Sequence, residues 1–224
     1  MLELNKIYCG DCLPLMKEMP DKSVDLVLTD PPYSDNFLKF DYSTGRKHKG
    51  GLGGIKHHFI SPHLSEIPDG RCFLEMYRVS KNQIIWGGNY FALFPSSCWL
   101  VWDKENTANF ADAELAWTSF QTAVRIFKYK WSGMLQGDMS HKEIREHPTQ
   151  KPLPLMMWCI ENYTKPGDTV LDPFMGSGTT CVACKKLGRN YIGIDKEPQY
   201  VAIAEKRLEK VNNHKLTDFF GVGD

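Results

Sequence analysis

Between Thr169 and Asp195 the sequence follows a pattern that few architectures accommodate. Thr169-Val170-Leu171-Asp172 reads as a short buried strand, and Pro173-Phe174-Met175 leads from it into the turn Gly176-Ser177-Gly178. Thr179 to Leu187 then has the composition of a helix, Gly188-Arg189 stops it, and a second strand, Tyr191-Ile192-Gly193-Ile194, ends at Asp195. Strand, glycine turn, helix and strand form a βαβ unit. This predicts a doubly wound α/β fold, with helices on both faces of a sheet and a ligand crevice at the carboxyl ends of the central strands. Asp195 stands about 20 residues beyond the glycine turn, where such a site places the acid that binds ribose hydroxyls.

The turn narrows the ligand class. The third glycine of the dinucleotide fingerprint is missing, and no Gly-Lys-Ser/Thr follows, which excludes a P-loop. Asp172 immediately precedes the turn and would repel a pyrophosphate, whereas an ammonium or sulfonium would be attracted. Glycines still allow close backbone approach. S-adenosylmethionine fits this pattern, with its ribose on Asp195, its cationic groups near Asp172 and its adenine packed on an apolar side chain such as Phe174.

A second device lies early in the chain. Val24-Asp25-Leu26-Val27-Leu28-Thr29 reads as a buried strand that Pro31-Pro32 stops, leaving Asp30 on the rim of a sheet. Asp30-Pro31-Pro32-Tyr33 combines an acid, proline carbonyls without neighbouring N–H groups and an aromatic plane, a grip suited to a flat ring bearing an amine. Taken alone, such a turn is also common in ordinary loops.

The remaining elements are consistent with this frame. Leu4 to Tyr8 reads as a strand, Leu13 to Met19 as a short helix, Arg71 to Val79 as a helix and Gln83 to Trp86 as a strand closed by Gly87-Gly88-Asn89. Trp99 to Trp102 and Ala123 to Phe127 read as strands joined by a polar connection over Asp103 to Asp112, and Leu153 to Tyr163 as an apolar helix. Residues 34–69 break the pattern and read as a flexible basic loop: between Lys39 and His58 five cations (Lys39, Arg46, Lys47, Lys49, Lys56) face one acid, Asp41. With its glycines this stretch suits a flap over a polyanion, although a solvated surface loop has the same composition. Residues 128–146 form a second irregular excursion. The aromatic residues between Trp86 and Phe120 read mostly as core, with one or two available to stack on a base.

The formal net charge is +0, so a polyanion would be held by local patches and not by an overall field. No apolar stretch approaches the roughly 20 residues that span a bilayer, and the N-terminus lacks a signal-peptide pattern, so a cytoplasmic location with no membrane partner is expected. Seven cysteines scattered through apolar segments read as reduced thiols. The pairs Cys9/Cys12 and Cys181/Cys184 have no accompanying histidine, and no metal is expected.

Three blocks together carry a resemblance. Asp-Pro-Pro-Tyr at 30–33, His-Pro-Thr-Gln-Lys-Pro at 147–152 and Leu-Asp-Pro-Phe-Met-Gly-Ser-Gly-Thr-Thr at 171–180 resemble the signature blocks of the amino-group DNA methyltransferases. Their order, catalytic block first and cofactor block late, resembles the circularly permuted β class. The resemblance is good over residues 4–33 and 147–208 and loose between them. It implies a single methyltransferase domain over 1–224 with a Rossmann-like fold, in which 34–69 and 128–146 are the candidate DNA-recognition insertions. It also implies that Phe174, Gly176, Ser177, Gly178 and Thr179 line the cofactor pocket, with Asp172 near the charged amino-acid end and Asp195 on the ribose. Asp11 would face the cofactor adenine, and Thr149 and Lys151 would lie near the cofactor carboxylate. The family often has Glu where Asp195 stands; Asp makes the same bidentate contact.

The implied reaction is methyl transfer from S-adenosylmethionine to the exocyclic amine of a base flipped out of double-stranded DNA. Asp30 and the Pro31 carbonyl would accept the amine hydrogens, and Pro32 and Tyr33 would complete the grip, the tyrosine stacking on the base. Adenine N6 is expected, because Ser in place of Asp30 is commoner among cytosine enzymes. Cytosine N4, an RNA substrate and a catalytically silent DNA-binding regulator are the alternatives. Methylation at cytosine carbon 5 is set aside, since no Pro-Cys pair supplies its nucleophile. A homodimer and a cognate restriction endonuclease are open as partners.

Overall fold

The computed structural model describes residues 2–33, 67–106, 111–132, 135–140, 142–144, 146 and 150–211. The early strands are β1 (Lys6–Cys9) and β2 (Val24–Thr29), joined through α1 (Cys12–Lys17). After α2 (Gly70–Val79) come β3 (Ser80–Trp86), a short 3-10 turn (Gly88–Tyr90), β4 (Trp99–Asp103), β5 (Ala113–Thr118) and β6 (Arg125–Lys128). A small separate hairpin pairs β7 (Trp131–Ser132) with β8 (Leu135–Gln136). The last third supplies α3 (Leu153–Tyr163), β9 (Thr169–Asp172), α4 (Thr179–Lys186), β10 (Asn190–Asp195) and α5 (Pro198–Glu209).

Eight strands make one sheet in the order β1-β10-β9-β2-β3-β5-β4-β6. The first five are mutually parallel, and β5 runs antiparallel to both β3 and β4. The two strands that open the chain are therefore separated by two strands from its end. This interleaving brings residues near position 30 beside residues near position 172.

The central strands are buried on both faces, which is why they read as apolar runs without alternation. Leu26, Leu28, Ile84, Trp86 and Val170 face a core shared with α3, α4 and α5, while Val27, Ile85, Leu171, Ile192 and Ile194 face α1 and α2. The expected two-faced covering is thus present. Among the described residues no helix is long and apolar enough to cross a membrane.

One strand is added and one expectation corrected. Beyond the polar connection over Asp103 to Asp112, Ala113–Thr118 forms β5, which inserts between β3 and β4 in the sheet. Its sequence, Ala-Glu-Leu-Ala-Trp-Thr, carries three residues that are poor strand formers, and pairing on both sides overrides that preference. The excursion over 128–146 is not wholly irregular, since it contains β7 and β8. The basic segment 34–69 lies outside the described residues up to position 66, and Asp69 caps α2 by accepting from Arg71 N at 2.8 Å.

Candidate active site

Parallel strands end on a common rim, and four of the carboxylates singled out from the sequence follow those ends. In register, Cys9 pairs with Asp195, Gly193 with Asp172, and Val27 with Leu171. Asp11, Asp195, Asp172 and Asp30 thus follow one another across the carboxyl ends of β1, β10, β9 and β2, with Gly87 next at the end of β3.

On the cofactor-block side the carboxylates hold backbone. Asp195 accepts from Gly176 N at 2.9 Å and from Glu197 N at 2.8 Å, tying the glycine turn to the end of β10. Asp172 accepts from Thr29 Oγ1 at 2.8 Å and from Phe174 N at 3.1 Å. Burial raises the Asp172 carboxyl to about 7 against the pull of these donors and the Thr180 hydroxyl. Burial likewise raises Asp195 against its two amides. Gly178 begins α4 at φ +76, and a Cβ there would sit 2.7 Å from the Ala204 Cβ of α5, so only glycine permits this turn to pack so closely. From behind, Arg207 donates to Ser177 O, Ser177 Oγ and Thr179 Oγ1 at 2.7, 2.9 and 3.0 Å. Ser177 and Thr179 are buried, whereas Phe174 and Gly176 stay partly open. Asp11 is exposed and caps α1, accepting from Leu13 N at 2.8 Å.

The Asp30 side has a different character. Lys151, with its side chain 6% exposed, donates from Nζ to Asp30 Oδ2. The other oxygen, Asp30 Oδ1, is buried and has no hydrogen-bond partner among the described residues. The resemblance implies a place for Lys151 near a cofactor carboxylate; in the folded chain its ammonium faces two protein carboxylates, Asp30 and Glu114, whose Oε2 lies 3.2 Å from Nζ. Lys104 pairs with the other Glu114 oxygen, Oε1. Burial opposes the charge on Lys151, but Asp30 and Glu114 outweigh it and keep the ammonium protonated. Burial also raises Asp30, with Lys151 as the main opposing influence. In Glu114 the two lysines overcome burial and hold the carboxyl below its ordinary value.

Tyr33 stacks on Tyr90, with ring centroids 4.5 Å apart and planes 12° from parallel. Gly87, at φ +67, makes room beneath it, since a Cβ there would come 2.6 Å from Tyr33 Cε1. Tyr90 is therefore one of the aromatic residues outside the core, while Trp86, Trp102 and Trp117 are buried within it.

Residues 150 and 151 join the two halves. Gln150 Oε1 accepts from Ser177 Oγ at 3.2 Å in the glycine turn, while the adjacent Lys151 reaches Asp30. Thr149 lies outside the described residues. Sequence reading missed Lys104, Glu114 and Arg207, and it had Tyr90 only as one of many aromatic residues available to stack on a base. The first two were hidden by the unread strand β5, since an acid flanked by alanine looks like a surface residue until both neighbouring strands are known.

The comparisons bear on the family and the fold. The N6/N4 methyltransferase family model, described as DNA methylase, matches residues 76–206. The type II methyltransferase M.HinfI of Haemophilus influenzae is 30% identical over 251 residues, covering 93% of this chain and 69% of the relative. The crystal structure of the M1.HpyAVI complex with SAM is 27% identical, with a TM-score of 0.52 over 91% of this chain and 99% of that one. The cytosine-N4-specific PvuII DNA methyltransferase, 19% identical, shares the fold at a TM-score of 0.58 over 95% of this chain and 90% of its own. With a family model spanning more than half of its length and a relative of this identity and coverage, the chain belongs to the amino-group DNA methyltransferases of the N6-adenine or N4-cytosine type.

Proposed function

We propose that this protein methylates the N6 amine of adenine in double-stranded DNA, using S-adenosylmethionine and a base flipped out of the helix. The observation that carries the reading is the buried, unpartnered Asp30 Oδ1 beside an Oδ2 already held by Lys151. A buried acceptor without a donor is costly unless a ligand supplies one. An exocyclic amine has two hydrogens to offer. Asp30 Oδ1 accepts one and the Pro31 carbonyl the other, which draws the nitrogen toward tetrahedral geometry and directs its lone pair at the methyl donor. The Pro32 and Tyr33 backbone sets the depth of this grip, and the Tyr33 ring, braced by Tyr90, offers a face to the flipped base.

The residues around the glycine turn suit S-adenosylmethionine. Each Asp195 oxygen accepts one backbone N–H and retains a second lone pair for a ribose hydroxyl. Partly open Phe174 would pack on the adenine, Gly176 and Gly178 would let the backbone approach, Asp172 would contribute negative charge near the cationic end, and Asp11 retains Oδ2 toward the adenine. When bound, this cofactor supplies an electrophilic methyl group on a sulfonium. The new N–C bond forms as the methyl–sulfur bond breaks, and the proton shed by the amine passes to its acceptor, Asp30. Adenine is preferred over cytosine because Asp, not Ser, heads the 30–33 block.

DNA recognition is assigned to the basic segment 34–69 and to residues 128–146. Neutralising Arg46, Lys47 and Lys49 should reduce the salt slope of DNA affinity by about 0.9 for each phosphate no longer neutralised. The proposal is tested with methyl-labelled cofactor, separate DNA and RNA pools, and digestion to nucleosides. Label on N6-methyldeoxyadenosine is expected; label on cytosine or in RNA would correct the substrate, and none at all from cofactor-binding protein would overturn the enzyme reading.

A further inference from the structure

Four buried or half-buried charges of alternating sign connect the end of β4, one strand in from the sheet's edge, to Asp30. Lys104 follows β4, Glu114 lies in β5, Lys151 precedes α3 and Asp30 follows β2, so four separate segments contribute one group each. Their side chains are 16%, 24%, 6% and 16% exposed in that order. Glu114 is paired in the sheet with Trp102, and Lys104 Nζ lies 4.9 Å from the Trp102 ring centroid, so the indole supports the outer pair. Charges this enclosed could be replaced by apolar side chains at little or no cost in stability, so packing alone does not account for them.

We propose that Glu114 and Lys104 are positioning residues for methyl transfer: by holding Lys151 from the side away from the base, they fix Asp30 so that Oδ1 is presented to the target amine. This rests on the reading that Asp30 grips the amine. A lysine with one carboxylate partner can swing between its two oxygens. Here Glu114 Oε2, 3.2 Å from Nζ though outside hydrogen-bond geometry, attracts Lys151 from a second direction, and Lys104 pairs with Glu114 in turn. Lys151 is then confined to Oδ2, and Oδ1 stays free.

The chain of charges also sets how strongly Asp30 accepts. The groups that act electrostatically on Asp30 are Lys151, Glu114 and Lys104, with Tyr33 and Asp172 also coupled to this cluster. Removing Glu114 makes the surroundings more positive, and removing Lys104 makes them more negative. Because Asp30 must be ionised to accept, activity falls as pH drops through its titration. Glu114→Gln should therefore move the acid limb of the kcat profile to lower pH, and Lys104→Met should move it to higher pH.

The test compares wild type, Glu114→Gln, Lys104→Met, Lys104→Arg, the Glu114→Gln/Lys104→Met double variant and Asp30→Asn in single-turnover methylation of DNA across pH, with cofactor affinity measured in parallel. Expected are about tenfold losses of kcat in the first two variants with KM for cofactor unchanged. Their acid limbs should shift in opposite directions, Lys104→Arg should retain the wild-type profile, and the double variant should lose less than the product of the singles. An inactive Asp30→Asn together with an unmoved profile and wild-type kcat in Glu114→Gln would overturn the positioning role alone. An active Asp30→Asn would overturn the underlying reading of Asp30. Cofactor affinity serves as the folding check, and if Glu114→Gln loses it, the oppositely directed Lys104→Met shift decides.

Discussion

The two halves of the rim use carboxylates in opposite ways. Around the glycine turn, Asp172 and Asp195 spend their acceptors on backbone amides and a neighbouring hydroxyl, so they shape a pocket. Across one strand boundary, Asp30 is held by a single cation on one oxygen and leaves the other without a donor. In the first arrangement every carboxylate is already held by donors of the folded chain. In the second, one buried oxygen has no donor among the described residues, and the proposed function gives that place to the target amine.

The comparison is broken most severely at Lys151. Lys151→Met leaves Asp30 and Glu114 as neighbouring buried carboxylates without their shared cation, and a loss of about 3–5 kcal/mol is expected on breaking such a pair. Denaturant unfolding at pH 7 measures this. The destabilisation should shrink in acid, where protonation removes the repulsion; a pH-independent loss would show that Lys151 contributes only packing.

Asp172 offers a smaller effect of recognisable sign. Its carboxyl is raised to about 7 in the folded protein, chiefly by burial, from an ordinary value near 3.8. Between these values the folded state binds more protons than the unfolded state, so this group lowers stability as pH rises from about 4 to 7. Asp172→Asn should remove that part of the pH dependence, a change on the order of 3 kcal/mol across the window. Thermal unfolding of both proteins at pH 5 and pH 8 tests it. Parallel curves would mean that the carboxyl is ionised throughout and that burial is offset by its donors.

The smallest effect is expected at Tyr90. Tyr90→Leu removes the ring against which Tyr33 is stacked, worth about 1 kcal/mol for an aromatic pair. It should weaken DNA binding several-fold and leave cofactor affinity alone. A base-analogue fluorescence assay of the flipped state measures it, and an equal loss on the cofactor side would erase the division between the two halves.

Much of this division was legible in the sequence, for identifiable reasons. The strand Val24–Thr29 and the helix Leu153–Tyr163 lie where they were read, because a buried strand and an apolar helix carry their signal within one segment. The glycine turn was legible because its backbone requirement is met by residue type at Gly178. What stayed hidden depends on contacts between segments. The strand Ala113–Thr118 has weak local preference, and with it Glu114 and its link to Lys151 went unread. The partners of Lys151 could not be read from the sequence, because whether an ammonium meets a ligand or a protein carboxylate is decided by the interleaving of early and late strands.

The central claim is that Asp30 acts on the amine while the glycine-turn half holds the methyl donor. Asp30→Asn preserves shape and removes the charged acceptor, so turnover on DNA and cofactor dissociation constant should be measured on the same preparation. The expected result is a loss of turnover on the order of 100-fold or more, with cofactor affinity within a few-fold of wild type. Undiminished turnover, or a loss of cofactor binding matching the loss of turnover, would contradict it.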